Sequence, residues 1–318
     1  MKMHKQIEKR RPVSGRFLGK CVIEANEPQG GGAWLLRAAV PAGEFHPQPG
    51  QFVAVRVSDG SDPLLRRPFS ICNYSVRPAT NAGVMDLLYK VVGRGTKMLT
   101  RLRRGEELDL LGPLGHGFAY PRKKSVCVLV GGGMGIAPLV LLARRLAKLP
   151  FIGDRRRVVV LFGARTKSEI YCTEELSDYG VTLKVATEDG SLGMRGTVLD
   201  LLTPTLRALR PKPQRKWRGK KGGPDRKPAE GGLRSFAGER IVLFSCGPTE
   251  MLKRVGRLAV RHSLPCQVSL ETRMACGMGA CRGCVIPVGP QGRKVTTYAS
   301  VCKDGPVFEW ARVADALR

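Results

Sequence analysis

Four cysteines near the C-terminus follow the spacing C-x4-C-x2-C-x17-C, at Cys276, Cys281, Cys284 and Cys302, and the first three lie in the glycine-rich string Cys276-Gly-Met-Gly-Ala-Cys281-Arg-Gly-Cys284. This is the plant-type [2Fe-2S] ligand spacing. A short loop must wrap a negatively charged cluster, and glycines at 277, 279 and 283 let backbone N–H groups reach the sulfurs. Structural zinc also takes four thiolates, but it usually draws them from two separated C-x2-C pairs. Six further cysteines, Cys21, Cys72, Cys127, Cys172, Cys246 and Cys266, are scattered singly. That asymmetry favours a metal centre over a disulfide framework, and the six are expected to be reduced thiols, most of them buried as small hydrophobes.

A chain of 318 residues has room for two or three domains, each with its own core. Apolar residues make up 42% of it and 39 glycines punctuate it, which fits a soluble globular protein with many tight turns. No apolar run approaches the roughly 18 residues of a membrane span. Met1 to Arg16 is basic with no apolar stretch behind it, so a secretory signal is not expected and a cytoplasmic location is. The formal charge of +28 raises the question of nucleic acid, yet half of it sits in residues 1–16, net +5, and residues 207–234, net +9. The remainder is spread over the body, where charge more often solubilises than recognises, and no basic motif is interleaved with aromatics. Specific nucleic-acid binding is not expected, because basic tails hold polyanions loosely and lose them as salt rises.

Along the first 120 residues, short apolar or alternating segments are separated by Gly and Pro: Phe17 to Ala25, Ala33 to Val40, Gln51 to Val57, Phe69 to Asn73 and Val84 to Val92. This reads as an antiparallel barrel or sandwich, with one short helix from Thr96 to Arg103. From Ser125 the texture changes to strands followed by helices: Val126 to Val130, Pro138 to Leu149, Val158 to Phe162, Ser168 to Tyr179, Leu183 to Thr187, Thr197 to Leu202, Ile241 to Ser245 and Thr249 to His262. Alternation of this kind predicts a parallel sheet covered by helices. Residues 207–236, rich in Lys, Arg, Pro and Gly, are expected to be a disordered insertion between a helix and a strand. The expected organisation is a basic tail over 1–16, a β domain over 17–122, an α/β domain over 123–264 and a small cysteine-bearing domain over 265–318.

Three further strings carry chemistry. Val126 to Val130 runs into Gly131, Gly132, Gly133 and Gly135 and then Pro138, a strand, a glycine turn and a helix start that let a pyrophosphate approach backbone donors. A glycine turn alone can serve packing, but Cys246-Gly247-Pro248 ends another strand at the same carboxyl edge, where open α/β sheets bind ligands. For Cys246 a core thiol is the alternative to a nucleotide-site role. In the first domain Arg67-Pro68-Phe69-Ser70 offers a cation, an aromatic face and a hydroxyl, and Gly93-Arg94-Gly95-Thr96 offers a second turn apt for phosphate.

Together these pieces resemble the ferredoxin-NADP reductase superfamily, in which an antiparallel FAD-binding β-barrel precedes a Rossmann-like nucleotide-binding α/β domain. Phe69 stands where the wider superfamily more often has tyrosine, a harmless change for stacking. A narrower resemblance, to the iron-sulfur electron-transfer subunits of the heterodimeric, NAD-linked dihydroorotate dehydrogenases, rests on Tyr89-Lys-Val-Val-Gly-Arg-Gly-Thr96, Leu111-Gly-Pro-Leu-Gly115, Glu271-Thr-Arg-Met-Ala-Cys276 with the cysteines that follow, and Val301-Cys-Lys-Asp-Gly-Pro-Val-Phe308. It implies a β + α/β multidomain protein ending in a small [2Fe-2S] domain. FAD would be held by Arg67 to Ser70, by Leu88, Tyr89 and Lys90, and by Gly95 and Thr96, and the cluster by Cys276, Cys281, Cys284 and Cys302. It also implies an FMN-containing catalytic partner, in a tetramer of two plus two, with NAD as the electron acceptor. A reductase subunit of a hydrogenase, sulfite reductase or transhydrogenase would use the same modules. In either case FAD must stand between NAD(H), which exchanges hydride, and a centre that carries single electrons, a task zinc does not share. Arg165, after the second α/β strand, is a candidate for a 2′-phosphate or simply a solvated loop charge, and the resemblance favours NAD over NADP.

Overall fold

The computed structural model describes residues 16–209, 236–290 and 297–317, apart from 59, 61 and 151. Six strands form the first domain: β1 (Phe17–Gly30), β2 (Ala33–Pro41), β3 (Phe52–Arg56), β4 (Arg67–Val76), β5 (Ala82–Lys90) and β6 (Glu107–Leu114), with helix α1 (Arg94–Leu99) between the last two. They close a barrel in the order β1-β2-β5-β4-β3-β6, every neighbour antiparallel. Alternation supplies the interior, where Ile23, Leu36, Val53, Ile71, Leu87 and Leu110 are fully buried. Each such side chain contributes about 1.5–3 kcal/mol. Strand β6 was not expected from the sequence, since its Gly112 and Pro113 are poor strand formers. Leu108 and Leu110 nonetheless point inward, while Asp109 between them meets Arg66 at 2.9 Å. Helix α1 stops at Leu99 rather than Arg103, because the Asn26 side chain donates to the carbonyls of Leu99 and Leu102.

The second domain contains β7 (Val126–Gly132), α2 (Ala137–Ala147), β8 (Val158–Ala164), α3 (Thr173–Asp178), β9 (Thr182–Thr187), β10 (Met194–Arg195), α4 (Val198–Leu209), β11 (Ile241–Cys246), α5 (Thr249–Arg261) and β12 (Cys266–Ser269). The order β10-β9-β8-β7-β11-β12 is parallel throughout. Val126, Val128 and Val130 face the core shared with α4 and α5, whereas Cys127 and Leu129 face α2 and α3, so both faces of β7 are covered. The helix expected over 168–179 is interrupted: Lys167–Glu169 is a 3-10 turn, Cys172 is left-handed at φ 58°, and α3 begins only at Thr173. Of the expected insertion over 207–236, Arg207 to Leu209 finish α4, and Phe236 is buried under the Arg157 guanidinium, 4.6 Å from its ring centre. The stretch between those ends, like residues 1–15 of the expected basic tail, lies outside the described residues.

The C-terminal region contains β13 (Val285–Val288), β14 (Thr297–Ser300), α6 (Val301–Asp304), β15 (Val307–Glu309) and α7 (Trp310–Val313). Strands β13 and β14 pair only with each other, but β15 adds antiparallel to β12 and makes the large sheet seven-stranded. The expected boundary at 264/265 therefore cuts off two strands of the nucleotide sheet, because short β12 and β15 carry too few residues to announce a period. Trp310 seals the attachment by lying against α5 at Gly256, where a Cβ would meet the indole at 2.1 Å. No helix among the described residues is long and apolar enough to cross a membrane.

Barrel and sheet meet mainly through apolar groups, with Ala33, Cys72 and Leu88 of the barrel joining the α2 core. Polar contacts flank them. Arg144 of α2 donates to Asn73 Oδ1 (3.0 Å) and to the Tyr74 carbonyl (2.7 Å), and Lys90 pairs with Glu169 at 2.7 Å. For a largely buried ion pair the desolvation cost offsets much of the attraction, so burial of apolar groups carries the union and the charges set its register.

Gly256→Ala is expected to lower stability by about 1–3 kcal/mol, despite the better helix propensity of alanine, because it overpacks Trp310; a melting temperature at or above that of the parent would contradict this packing. Hydrogen bonds from Arg165 and Lys90 hold the Glu169 carboxyl down at about 2, below its ordinary 4.5. Its contribution to the domain seam is thus complete above pH 4.5 and is lost as pH falls from there towards 2. In acid titrations followed by hydrogen exchange at the seam, Glu169→Gln should flatten this limb.

Candidate functional site

The carboxyl ends of β7, β8, β9 and β11 open onto a cavity of about 570 Å³. Its wall includes Gly132 at the end of β7 with Gly133 and Gly135 of the turn that follows, Gly163 at the end of β8 with Arg165 just after it, Glu188 after β9, and Gly247 and Pro248 after β11. Gly135 is obligatory, since a Cβ there would stand 2.2 Å from the Cys246 carbonyl oxygen. Gly133 takes a left-handed φ of 52°. Gly131 and Pro138 do not line the cavity: Gly131 packs on Ile136, and Pro138 occupies the first turn of α2. Arg165 lies in the wall but is tied to Glu169 by two hydrogen bonds, of 3.1 and 2.6 Å.

A second cavity of about 350 Å³ lies between the barrel and the sheet. Arg67, Pro68, Phe69, Ser70, Leu88, Tyr89, Lys90 and Thr96 line its barrel side, and Met134, Cys246, Ser269 to Thr272 and Met274 line the other. The Phe69 and Tyr89 rings stand 5.7 Å apart, and the Tyr89 hydroxyl donates to Asn26 Oδ1 at 3.0 Å. The Thr96 hydroxyl accepts from the N–H of Val92 and of Gly93 and donates to the Gly93 carbonyl, so it shapes the turn. Gly95 lies against Arg67 rather than in the cavity wall, where a Cβ would come within 2.9 Å of the guanidinium. Cys246 is buried, and desolvation pushes its thiol well up, so it stays a neutral wall group. Each cavity is lined by a residue whose buried hydroxyl has no partner among the described residues, Tyr171 in the first and Thr272 in the second. Glycine turns in the first cavity and an aromatic pair beside Arg67 in the second give walls that a dinucleotide and a flavin fit.

The four C-terminal cysteines come together as two pairs. The Cys281 N–H donates to Cys276 Sγ and the Cys302 N–H to Cys284 Sγ, each at 3.4 Å, and the Gly283 N–H donates to Cys281 Sγ. Burial pushes the Cys276 thiol up, but N–H donors from Cys281, Met278 and Ala280 outweigh it and bring it to about 6. Burial and the neighbouring Cys284 thiol raise Cys302 to about 12. Among the described residues no three such side chains converge on a single point as one metal ion requires. Two thiolate pairs suit a cluster of two irons better than one zinc ion. Gly277 and Gly279 take φ of 71° and 90°, and Gly279 lies against Lys303. Cys281 is exposed, while Cys284 and Cys302 are buried.

Three side chains line both cavities: Lys90, Met134 and Glu271. Sequence alone assigned no role to Met134 or Glu271. Glu271 follows β12 at the ligand edge of the sheet, and only an unread strand concealed that position. Desolvation raises its carboxyl above the ordinary value.

Residues 271–314 match the family described as the iron-sulfur cluster binding domain of dihydroorotate dehydrogenase B, and residues 129–257 match the oxidoreductase NAD-binding domain. The electron transfer subunit of dihydroorotate dehydrogenase B (NAD(+)) from Desulforamulus reducens is 36% identical over 260 residues, covering 82% of this chain and 84% of that protein. The subunit of the same name from Geobacillus thermodenitrificans is 37% identical over 268 residues, 84% of this chain and 86% of that one. Among solved structures, an NADH-dependent reduced ferredoxin-NADP oxidoreductase studied for flavin-based electron bifurcation superposes with a TM-score of 0.66 at 25% identity, over 93% of this chain and 91% of that one. The cytochrome P450 reductase of Amycolatopsis shares the fold, with a TM-score of 0.57 at 20% identity over 79% and 68% of the two chains. With its barrel, nucleotide sheet and cysteine loop in the same arrangement, the chain belongs to the family of electron transfer subunits of NAD(+)-dependent dihydroorotate dehydrogenase B.

Proposed function

We propose that this chain accepts electrons from an FMN-containing catalytic subunit that oxidises dihydroorotate, and delivers them to NAD through a [2Fe-2S] cluster and FAD. The observation that carries this reading is the order of sites along one path. The cavity assigned to flavin is lined by Leu270, Glu271, Thr272 and Met274, a stretch that leads directly into Cys276, and it shares Lys90, Met134 and Glu271 with the cavity assigned to nucleotide. Bound FAD supplies the exchange between hydride and single-electron chemistry. What the chain contributes is position.

Cys276, Cys281, Cys284 and Cys302 would hold the cluster, which would supply a centre that carries one electron at a time. Arg67, whose guanidinium donates to the Leu65 carbonyl among the described residues and lines the flavin cavity, would offer its remaining donors to a flavin phosphate. Phe69, Tyr89 and Ser70 would wall the flavin ring, Gly95 and Thr96 would maintain the turn at that end of the cavity, and Leu88, Phe52 and Met134 would keep water out. Gly132, Gly133 and Gly135 would receive a nucleotide pyrophosphate, with Cys246, Gly247 and Pro248 completing the wall. No general base is required and none is assigned. The assembly is a heterotetramer of two such chains and two catalytic subunits, working in the cytoplasm.

Purified chain is expected to be coloured, to contain FAD and two irons, and to restore dihydroorotate-dependent NADH formation when mixed with its catalytic subunit. A colourless protein holding zinc, or recovery with a hydrogenase subunit and no dihydroorotate turnover, would refute the reading. Cys281→Ser should lose the visible signature of the cluster while keeping FAD and NADH-dependent reduction of a dye, and electron transfer from the catalytic subunit should fall at least 10²-fold. Gly135→Val should abolish nucleotide binding, measured by calorimetry, because its side chain would occupy the space of the Cys246 carbonyl.

A further inference from the structure

Two cysteines that the sequence shows as isolated, 100 residues apart, touch across the seam between barrel and nucleotide sheet: Cys72 Sγ and Cys172 Sγ are 3.8 Å apart. Cys72 lies on β4 beside Asn73, the residue held by Arg144 of α2. Cys172 precedes α3 on the other domain, and its carbonyl accepts the Leu176 N–H at 3.2 Å. Its backbone is left-handed, with φ 58° and ψ 29°, a region that residues with a Cβ rarely adopt. A non-glycine residue held there at a domain seam implies that the direction of its side chain matters.

We propose that Cys72 and Cys172 form a modification site, a dithiol that small-molecule disulfides such as oxidised glutathione convert to a disulfide stapling the flavin barrel to the nucleotide domain. Cys172 is half-buried and Cys72 only 1% exposed, which sets the order of events. The Cys172 thiolate attacks one sulfur of oxidised glutathione, giving a Cys172–glutathione mixed disulfide and releasing one glutathione. The Cys72 thiolate then attacks Cys172 Sγ, closes the Cys72–Cys172 bond and releases the second glutathione. The two protein thiol protons end on the two released glutathiones, so the protein loses two electrons and oxidised glutathione gains them. Contact with Cys172 and burial hold the Cys72 thiol above the ordinary cysteine range, which disfavours it as the entry thiol, while its 3.8 Å contact with Cys172 Sγ places it for the second attack. Closure brings the sulfurs from 3.8 Å to about 2.05 Å, a small movement of one turn. Because the link would span both domains, it would restrain the unfolded chain more than a local bridge does. The site does not depend on which partner supplies electrons.

The test uses the full chain loaded with FAD and cluster, incubated with oxidised glutathione, digested without reductant and mapped by mass spectrometry. The expected result is a linked peptide pair containing Cys72 and Cys172, with a melting temperature raised by roughly 5 °C and restored by dithiothreitol. Cys72→Ala should stop at the Cys172 glutathione adduct with no gain in melting temperature, and Cys172→Ala should leave Cys72 unmodified. Wild-type protein that carries only the Cys172 adduct, reacts at neither cysteine, pairs either one elsewhere, or is linked without gaining stability would overturn the proposal. If Cys72→Ala does not fold, the wild-type map and Cys172→Ala decide.

Discussion

Antiparallel addition of Val307–Glu309 to Cys266–Ser269 is the constraint on which the path of electrons depends. The chain leaves the sheet at Ser269, on the edge where the cavities open, and returns beside it at Val307, so the excursion that carries Cys276, Cys281, Cys284 and Cys302 is pinned at both ends. Trp310 against Gly256 and the reciprocal hydrogen bonds between the Gln267 side chain and Ala119 prevent that excursion from swinging away. A cluster module joined by a flexible linker would need to search for the flavin. Here two short strands make the search unnecessary, and a few ladder hydrogen bonds replace the entropy that a linker would have to lose.

Much of this was legible in the sequence, for reasons that differ between regions. The cysteine spacing is a local property, so the reading of Cys276, Cys281, Cys284 and Cys302 as a ligand set needs no tertiary information. Long buried strands such as β7 and β8 announce themselves by continuous apolar runs. Strands β6, β12 and β15 do not, because each is short or carries Gly and Pro, and each exists only because a neighbour offers a ladder to complete. The interruption at Cys172 was hidden for a related reason: residues 168–179 have acceptable helix propensity, and only the barrel packed against them selects the left-handed turn. Glu271 and Met134 escaped notice because their role arises where two cavities meet, which no linear pattern records.

Charge plays a smaller part than the composition suggests. Arg157 and Glu239, Arg165 and Glu169, Arg37 and Asp86 form paired contacts that absorb several of the cations in the described body. What holds the domains together is apolar, with charged groups aligning rather than attaching them. The nucleotide cavity follows the same logic, as its close glycine approach is set by backbone contact with Cys246 and not by an ion pair.

Helix α4 starts at the first cavity and ends at Leu209, and the Phe236 ring lies beside Arg157 at the opposite edge of the sheet. Gly238 N–H donates to the Leu209 carbonyl, so the end of α4 is tied to the backbone just ahead of β11. A disturbance at that knot would reach the cavities only along α4 or the strands themselves, which makes the far edge of the sheet the part of the domain where substitutions couple least to the sites.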